Sequence, residues 1–130
     1  MQQRNTRQRQ LILEAVRARH DHPGADQIFL DARASDEKIS LGTVYRNLRR
    51  LAEKGEILLV RVPDADRFDS RRELHYHLFC TQCGAVVDAP LPYRADIDQA
   101  LQAQTGYAIA RHRIVFEGLC PACRKGEKPR

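Results

Sequence analysis

Long apolar runs are missing from this sequence. Nothing in its 130 residues approaches the roughly 20 consecutive apolar residues that a membrane-spanning helix needs, which argues against a membrane-embedded chain. The opening stretch, MQQRNTRQRQ, is polar and basic with no apolar segment behind it, so no secretory signal is expected. A reducing, cytoplasmic location is expected instead, and there four cysteines point to metal rather than to disulfides. Large apolar residues are also scarce in the second half, so a sizeable core there needs outside help. A strong charge of one sign is absent as well, the net being +5.

What charge there is sits unevenly. Residues 1–62 carry 12 Lys and Arg against 8 Asp and Glu, whereas residues 63–130 carry 10 against 9. A basic excess confined to one half points to a polyanionic partner such as nucleic acid.

Within that half, Leu11, Ile12, Ala15 and Val16 recur at helical spacing, predicting an amphipathic helix over residues 7–20 with Thr6 as its N-cap. His20-Asp21-His22-Pro23-Gly24 breaks it, because proline disfavours helix in the residue before it. A second helix is predicted over residues 25–34, burying Ile28 and Phe29, followed by a turn at Ser35-Asp36-Glu37. Ser40 then caps a third helix over residues 41–54, with Leu41, Val44, Leu48 and Leu51 inward and Gly55 ending it. Its outer face shows Thr43, Tyr45, Arg46, Arg49 and Arg50. Arginine and tyrosine on an exposed helix suit a major groove, where they reach phosphates and base edges. DNA contacts are expected from Thr43, Tyr45, Arg46 and Arg49. Residues 57–62 are β-rich, residues 63–66 turn, and Arg67-Phe68 resumes the strand. Three helices followed by a hairpin predict a winged helix-turn-helix over residues 1–66.

The second half is dense in metal-ligand residue types. His75 and His77 stand two apart, so on a predicted strand over residues 75–79 both imidazoles share a face. Cys80-Thr81-Gln82-Cys83 and Cys120-Pro121-Ala122-Cys123 are paired thiolates at the spacing of a closed zinc site with four cysteine ligands. Such a site supplies folding free energy on the order of 10 kcal/mol. Redox-active dithiols are the rival, but two paired motifs seldom serve that purpose. Between the pairs a strand is predicted over residues 85–88, and a helix over residues 96–104 with Ile97, Ala100 and Leu101 inward, closed by Gly106. A further strand is predicted over residues 107–117, and then a basic tail. The fold class is therefore α+β: a winged helix, then a small α/β unit over residues 67–130 stitched by zinc.

Several motifs line up along the chain: Arg4-x-Thr6-x-Gln8-Arg9, His22-Pro23-x-Ala25, Thr43-Val44-Tyr45-Arg46-Asn47-Leu48, Arg67-Phe68-Asp69, His75-Tyr76-His77 and the two cysteine pairs. Together they resemble the ferric uptake regulator family, and within it most closely the peroxide-responsive repressors. The resemblance implies a metal-dependent transcriptional repressor, not an enzyme, with a C-terminal dimerisation domain and double-stranded DNA as partner in the form of an AT-rich palindromic operator bound by a homodimer. It also implies a regulatory metal held by His22, Asp69, His75, His77 and Asp88. Three imidazoles and two carboxylates independently suit Fe2+ or Mn2+, with Zn2+ a further candidate. In the Fe2+ form, peroxide sensing through oxidation of His75 or His22 is implied; the alternative is an iron-, manganese- or zinc-responsive regulator without peroxide sensing. His20 and His112 receive no role. A hydrolase or a metal-storage protein would leave the arginine helix unexplained.

Overall fold

The computed structural model describes the backbone of residues 2–127 and the side chains of residues 6–127. Arg4 of the opening motif and the last three residues of the basic tail therefore lie outside the described side chains. The chain divides into two compact units, Met1–Glu73 and Leu74–Arg130.

In the first unit, α1 (Gln2–Arg17), α2 (Ala25–Arg33) and α3 (Leu41–Glu53) precede a two-stranded hairpin of β1 (Leu58–Arg61) and β2 (Asp66–Asp69). Helix α1 begins before the expected start. Thr6 lies inside it rather than at its cap, because the Gln and Arg residues ahead of Thr6 are good helix formers with no Pro or Gly among them. Ser40 does cap α3, its Oγ accepting from the Thr43 N–H at 3.1 Å, a contact worth about 1 kcal/mol. Gly55 takes φ +77° just past the helix end, a conformation without steric cost only for glycine. The core gathers Ile12, Leu13 and Val16 from α1, Ala25, Ile28 and Ala32 from α2, Val44, Leu48 and Leu51 from α3, together with Ile39, Ile57 and Phe68. Phe29 packs against this cluster without being fully buried. Leu41 does not join it: at the first position of α3 it stays exposed.

The hairpin pairs Leu58 with Asp69 and Arg61 with Asp66. Because β2 completes that ladder, residues 67–73 belong to the first unit, and the break falls after Glu73 rather than at the expected boundary after Asp66.

The second unit holds a sheet in the order β4-β3-β5, from β3 (His77–Cys80), β4 (Val86–Asp88) and β5 (Val115–Gly118), with α4 (Ala95–Thr105) and the one-turn α5 (Pro121–Arg124). Strands β3 and β4 are antiparallel, with His77 opposite Asp88; β3 and β5 are parallel, with His77 opposite Val115.

Two expectations are corrected here. The alternation over residues 107–117 yields a strand only at Val115–Gly118, since only that part meets β3. Helix α4, though amphipathic in sequence and closed by Gly106 at φ +77°, buries none of its residues; Ile97 and Leu101 are exposed. Its half-buried residue is Asp98. Among the described residues no helix is long and apolar enough to cross a membrane.

Candidate metal centres and recognition helix

The cysteine cluster forms where two turns meet. Strand β3 ends at Cys80, the turn through Cys83 leads to β4, and β5 delivers the chain to Cys120, which caps α5. The four ligand sulfurs lie within 4.8 Å of one another, with Cys83 Sγ and Cys120 Sγ 3.9 Å apart. A tetrahedral ion with Zn–S bonds of ~2.3 Å calls for sulfurs roughly 3.8 Å apart, so the set fits zinc. The backbone favours thiolates here. The N–H groups of Cys83 and Cys120 donate to Cys80 Sγ at 3.5 and 3.4 Å and bring its pKa down to about 5. The Cys123 N–H, donating to Cys120 Sγ at 3.4 Å, lowers that thiol too. Burial pushes Cys123 up to about 12, so its proton would leave only on metal binding. The chain thus holds a structural four-cysteine zinc site.

The candidate nitrogen and oxygen ligands come from both units. In the first, His22 takes φ +54°, a left-handed conformation that histidine tolerates better than most residues. The chain after it is tied alongside β2: the Phe68 N–H donates to the Pro23 carbonyl at 2.8 Å, and Gly24 bridges to Arg67. That tether brings the His22 ring to the end of β2, where Nε2 lies 3.1 Å from Asp69 Oδ2. Both side chains are buried. The other Asp69 oxygen accepts from the Arg71 N–H at 2.9 Å, which fixes the carboxylate.

In the second unit His75 lies just before β3 rather than on it. The two rings still come together, their centroids 4.5 Å apart. Opposite them, the register sets Asp88 against His77; Asp88 Oδ1 is 2.9 Å from His75 Nε2 and 3.5 Å from His77 Nε2. One carboxylate thus faces two imidazoles, a donor set that suits a borderline divalent ion.

On α3, Tyr45, Arg46 and Arg49 are exposed and Thr43 half-buried, as expected for a helix face turned to a partner. Arg46 folds back over the first turn, Nη2 donating to Thr43 Oγ1 at 3.1 Å.

A polar cluster in the second unit escaped sequence reading. Tyr76 Oη lies 2.6 Å from His112 Nε2, and His112 Nδ1 lies 2.6 Å from Asp98 Oδ1. Tyr93 donates to Asp98 Oδ2, and its ring stacks on His112. Hydrogen bonds from Tyr93 and His112 hold the Asp98 carboxyl below its ordinary value; burial and Asp98 push the Tyr93 phenol up. No motif joins these residues, which stand 5 to 36 positions apart.

A winged helix with an exposed arginine face, joined to a zinc-stitched unit carrying further imidazoles grouped with a carboxylate, defines a metal-binding DNA-binding regulator. The ferric uptake regulator family model matches residues 1–117, and the chain belongs to that family. Members are DNA-binding transcription regulators that form dimers, not enzymes, and this chain is a repressor of that kind. It is 37% identical over 122 residues to the peroxide-responsive repressor PerR of Staphylococcus saprophyticus, covering 93% of this chain and 82% of that protein; PerR of Staphylococcus aureus (strain USA300) is 35% identical over the same length. Among solved structures, the Campylobacter jejuni peroxide stress regulator superposes with a TM-score of 0.73 at 26% identity, covering 92% of this chain and 91% of that one. A zinc uptake regulator complexed with zinc and DNA gives 0.69 at 26% identity, covering 92% and 83%.

Proposed function

We propose that this chain is a cytoplasmic, homodimeric repressor whose grip on an AT-rich palindromic operator is set by one regulatory ion per subunit, Fe2+ or Mn2+, with Zn2+ as a third candidate. The proposed ligands are His22 and Asp69 from the first unit with His75, His77 and Asp88 from the second. The observation that carries this reading is that each unit, taken by itself, already turns a carboxylate onto imidazole nitrogens: Asp69 onto His22, and Asp88 onto His75 and His77. The domains would accordingly be a winged-helix DNA-binding domain and a metal-binding dimerisation domain.

Thr43, Tyr45, Arg46 and Arg49 are the proposed DNA contacts. In a two-fold dimer both copies of α3 must meet successive major grooves about one helical turn apart. Shared ligation by residues of both units would favour the pose in which they do. An ion present at about 100 times its dissociation constant stabilises the competent form by about 2.7 kcal/mol if the other form does not bind it. The dimer face we assign is the outer side of the sheet, where Val87, Leu78 and Phe116 stand side by side and exposed.

Peroxide sensing is the finer part of the proposal, and the PerR relatives support it. Bound iron would supply the redox chemistry. The chain's part is to offer the oxidisable imidazoles of His75 and His22 and, once one is altered, to lose the ligand set that favours DNA.

Gel shifts on an AT-rich palindrome with and without Mn2+, followed by peroxide treatment of the Fe2+ form and peptide mass measurement, test both levels. DNA binding indifferent to metal would remove the switch. Unmodified histidines with DNA binding intact would leave a metal-responsive repressor without peroxide sensing.

A further inference from the structure

The Tyr76–His112–Asp98–Tyr93 cluster meets the segment that carries His75 and His77 through the Tyr76 hydroxyl. Tyr76 stands between those two histidines in sequence, and its side chain is buried. Donors and acceptors in the cluster can be assigned one by one. The Arg94 N–H donates to Tyr76 Oη at 2.9 Å, and the His112 N–H donates to Tyr93 Oη at 3.0 Å; both are backbone donors, so neither bond can reverse. Each phenol has then accepted once and has one proton to give. Tyr93 gives its proton to Asp98 Oδ2. Among the described residues Tyr76 finds an acceptor for its own proton only at His112 Nε2, 2.6 Å away, so the arrangement that satisfies the hydroxyl leaves Nε2 bare. The proton of a neutral ring then sits on Nδ1, where it meets Asp98 Oδ1 at 2.6 Å. Every polar atom finds its complement when Asp98 is ionised and His112 is the neutral Nδ1–H tautomer.

We infer that this chain of hydrogen bonds, running from Asp98 on α4 through His112 to the Tyr76 hydroxyl, is a positioning device that fixes the His75-Tyr76-His77 segment and so pre-arranges its two imidazoles for the regulatory ion. Tyr76 is the positioning residue and α4 is the base. Two observations support the assignment. Helix α4 buries none of its apolar side chains; its half-buried residue is the carboxylate at the end of this chain, so a polar tether rather than apolar packing joins α4 to its own unit. The Tyr76 carbonyl also accepts from the Ala89 N–H at 2.9 Å, so the residue is held at its backbone beside Asp88 and at the tip of its side chain. A segment fixed at both points gives up little freedom when a ligand arrives, and that lowers the cost of binding.

The inference rests on the proposed regulatory site, and its test separates the two. The zinc-loaded protein without a second metal is first examined by 15N NMR of its imidazoles. His112 is expected as the neutral Nδ1–H tautomer, and an Nε2–H tautomer would overturn the hydrogen-bond chain. Mn2+ affinity is then measured for the wild type, Tyr76→Phe, Asp98→Asn and His77→Ala, with zinc content as the control for folding. Supporting residues of metal ligands typically cost ~10–100-fold in affinity when lost, and because Tyr76 acts through the backbone, Tyr76→Phe and Asp98→Asn should fall near the lower end. Unchanged Mn2+ affinity in both variants, with His77→Ala strongly weakened, overturns the positioning role and leaves the site standing. Unchanged affinity in His77→Ala overturns the site itself.

Discussion

Phe68 and Phe79 are both buried phenylalanines on four-residue strands, yet what surrounds them differs. Phe68 joins apolar side chains from three helices in a continuous core. Besides Phe79, the buried residues of the second unit are Tyr76, His77, Cys80, Val86, Ala89 and Cys123, four of the six being polar or metal-binding types, while Ile97, Leu101, Leu78 and Phe116 face outward. The first unit closes on itself by the hydrophobic effect. The second is held by sulfur ligands, strand pairing and a polar tether, and leaves apolar side chains exposed, the surface proposed above for the dimer. A DNA reader gains from a rigid scaffold, whereas a unit that must respond to an ion gains from an order that the ion completes.

The largest break in this comparison comes from removing zinc. Structural zinc contributes ~10–16 kcal/mol at neutral pH, so a strong chelator should abolish amide protection across residues 77–88 while the helical circular dichroism of the first unit persists. Protection surviving chelation there would show that the second unit has a sufficient core of its own. The next effect comes from trimming leucines. Leu48→Ala should destabilise the first unit by ~2–5 kcal/mol with zinc content unchanged, whereas Leu101→Ala on exposed α4 should cost the subunit's own stability less than ~0.5 kcal/mol; denaturant melts of both variants would check the contrast.

The smallest effect concerns acid. The Arg19 guanidinium, bonded to Asp31 at 2.6 and 3.2 Å, holds that carboxyl below its ordinary 3.8. A depressed folded pKa gives stability that is full above 3.8 and lost as pH falls through the lower folded value. The pair is partly exposed, so roughly 0.2–1 kcal/mol is at stake. Urea midpoints between neutral pH and pH 3 should therefore fall less steeply for Asp31→Asn than for the wild type.

The same contrast explains what the sequence disclosed. In the first unit, each apolar period has a partner within the chain, so the positions of Ile28, Val44, Leu48 and Leu51 were legible, as were the Ser40 cap and the Gly55 stop. Thr6 misled because a capping residue type says nothing about helix formers that precede it. In the second unit, periodicity in α4 was real but could not say whose core it serves, and alternation over residues 107–117 could not say how much of it would meet β3. The cysteine pairs and the His75/His77 spacing were legible because ligand chemistry demands them. The Tyr93, Asp98 and His112 contacts were not, because hydrogen bonds between residues so far apart leave no local pattern.

Linkage gives the most direct test of the central claim that one ion per subunit governs the hold on DNA. The dissociation constant of Mn2+ should be measured on the zinc-loaded protein, alone and with a saturating palindromic duplex. By reciprocity the duplex must tighten Mn2+ by the factor with which Mn2+ tightens the duplex, about 5–150-fold for couplings of this kind. An identical Mn2+ constant with and without DNA would contradict the account.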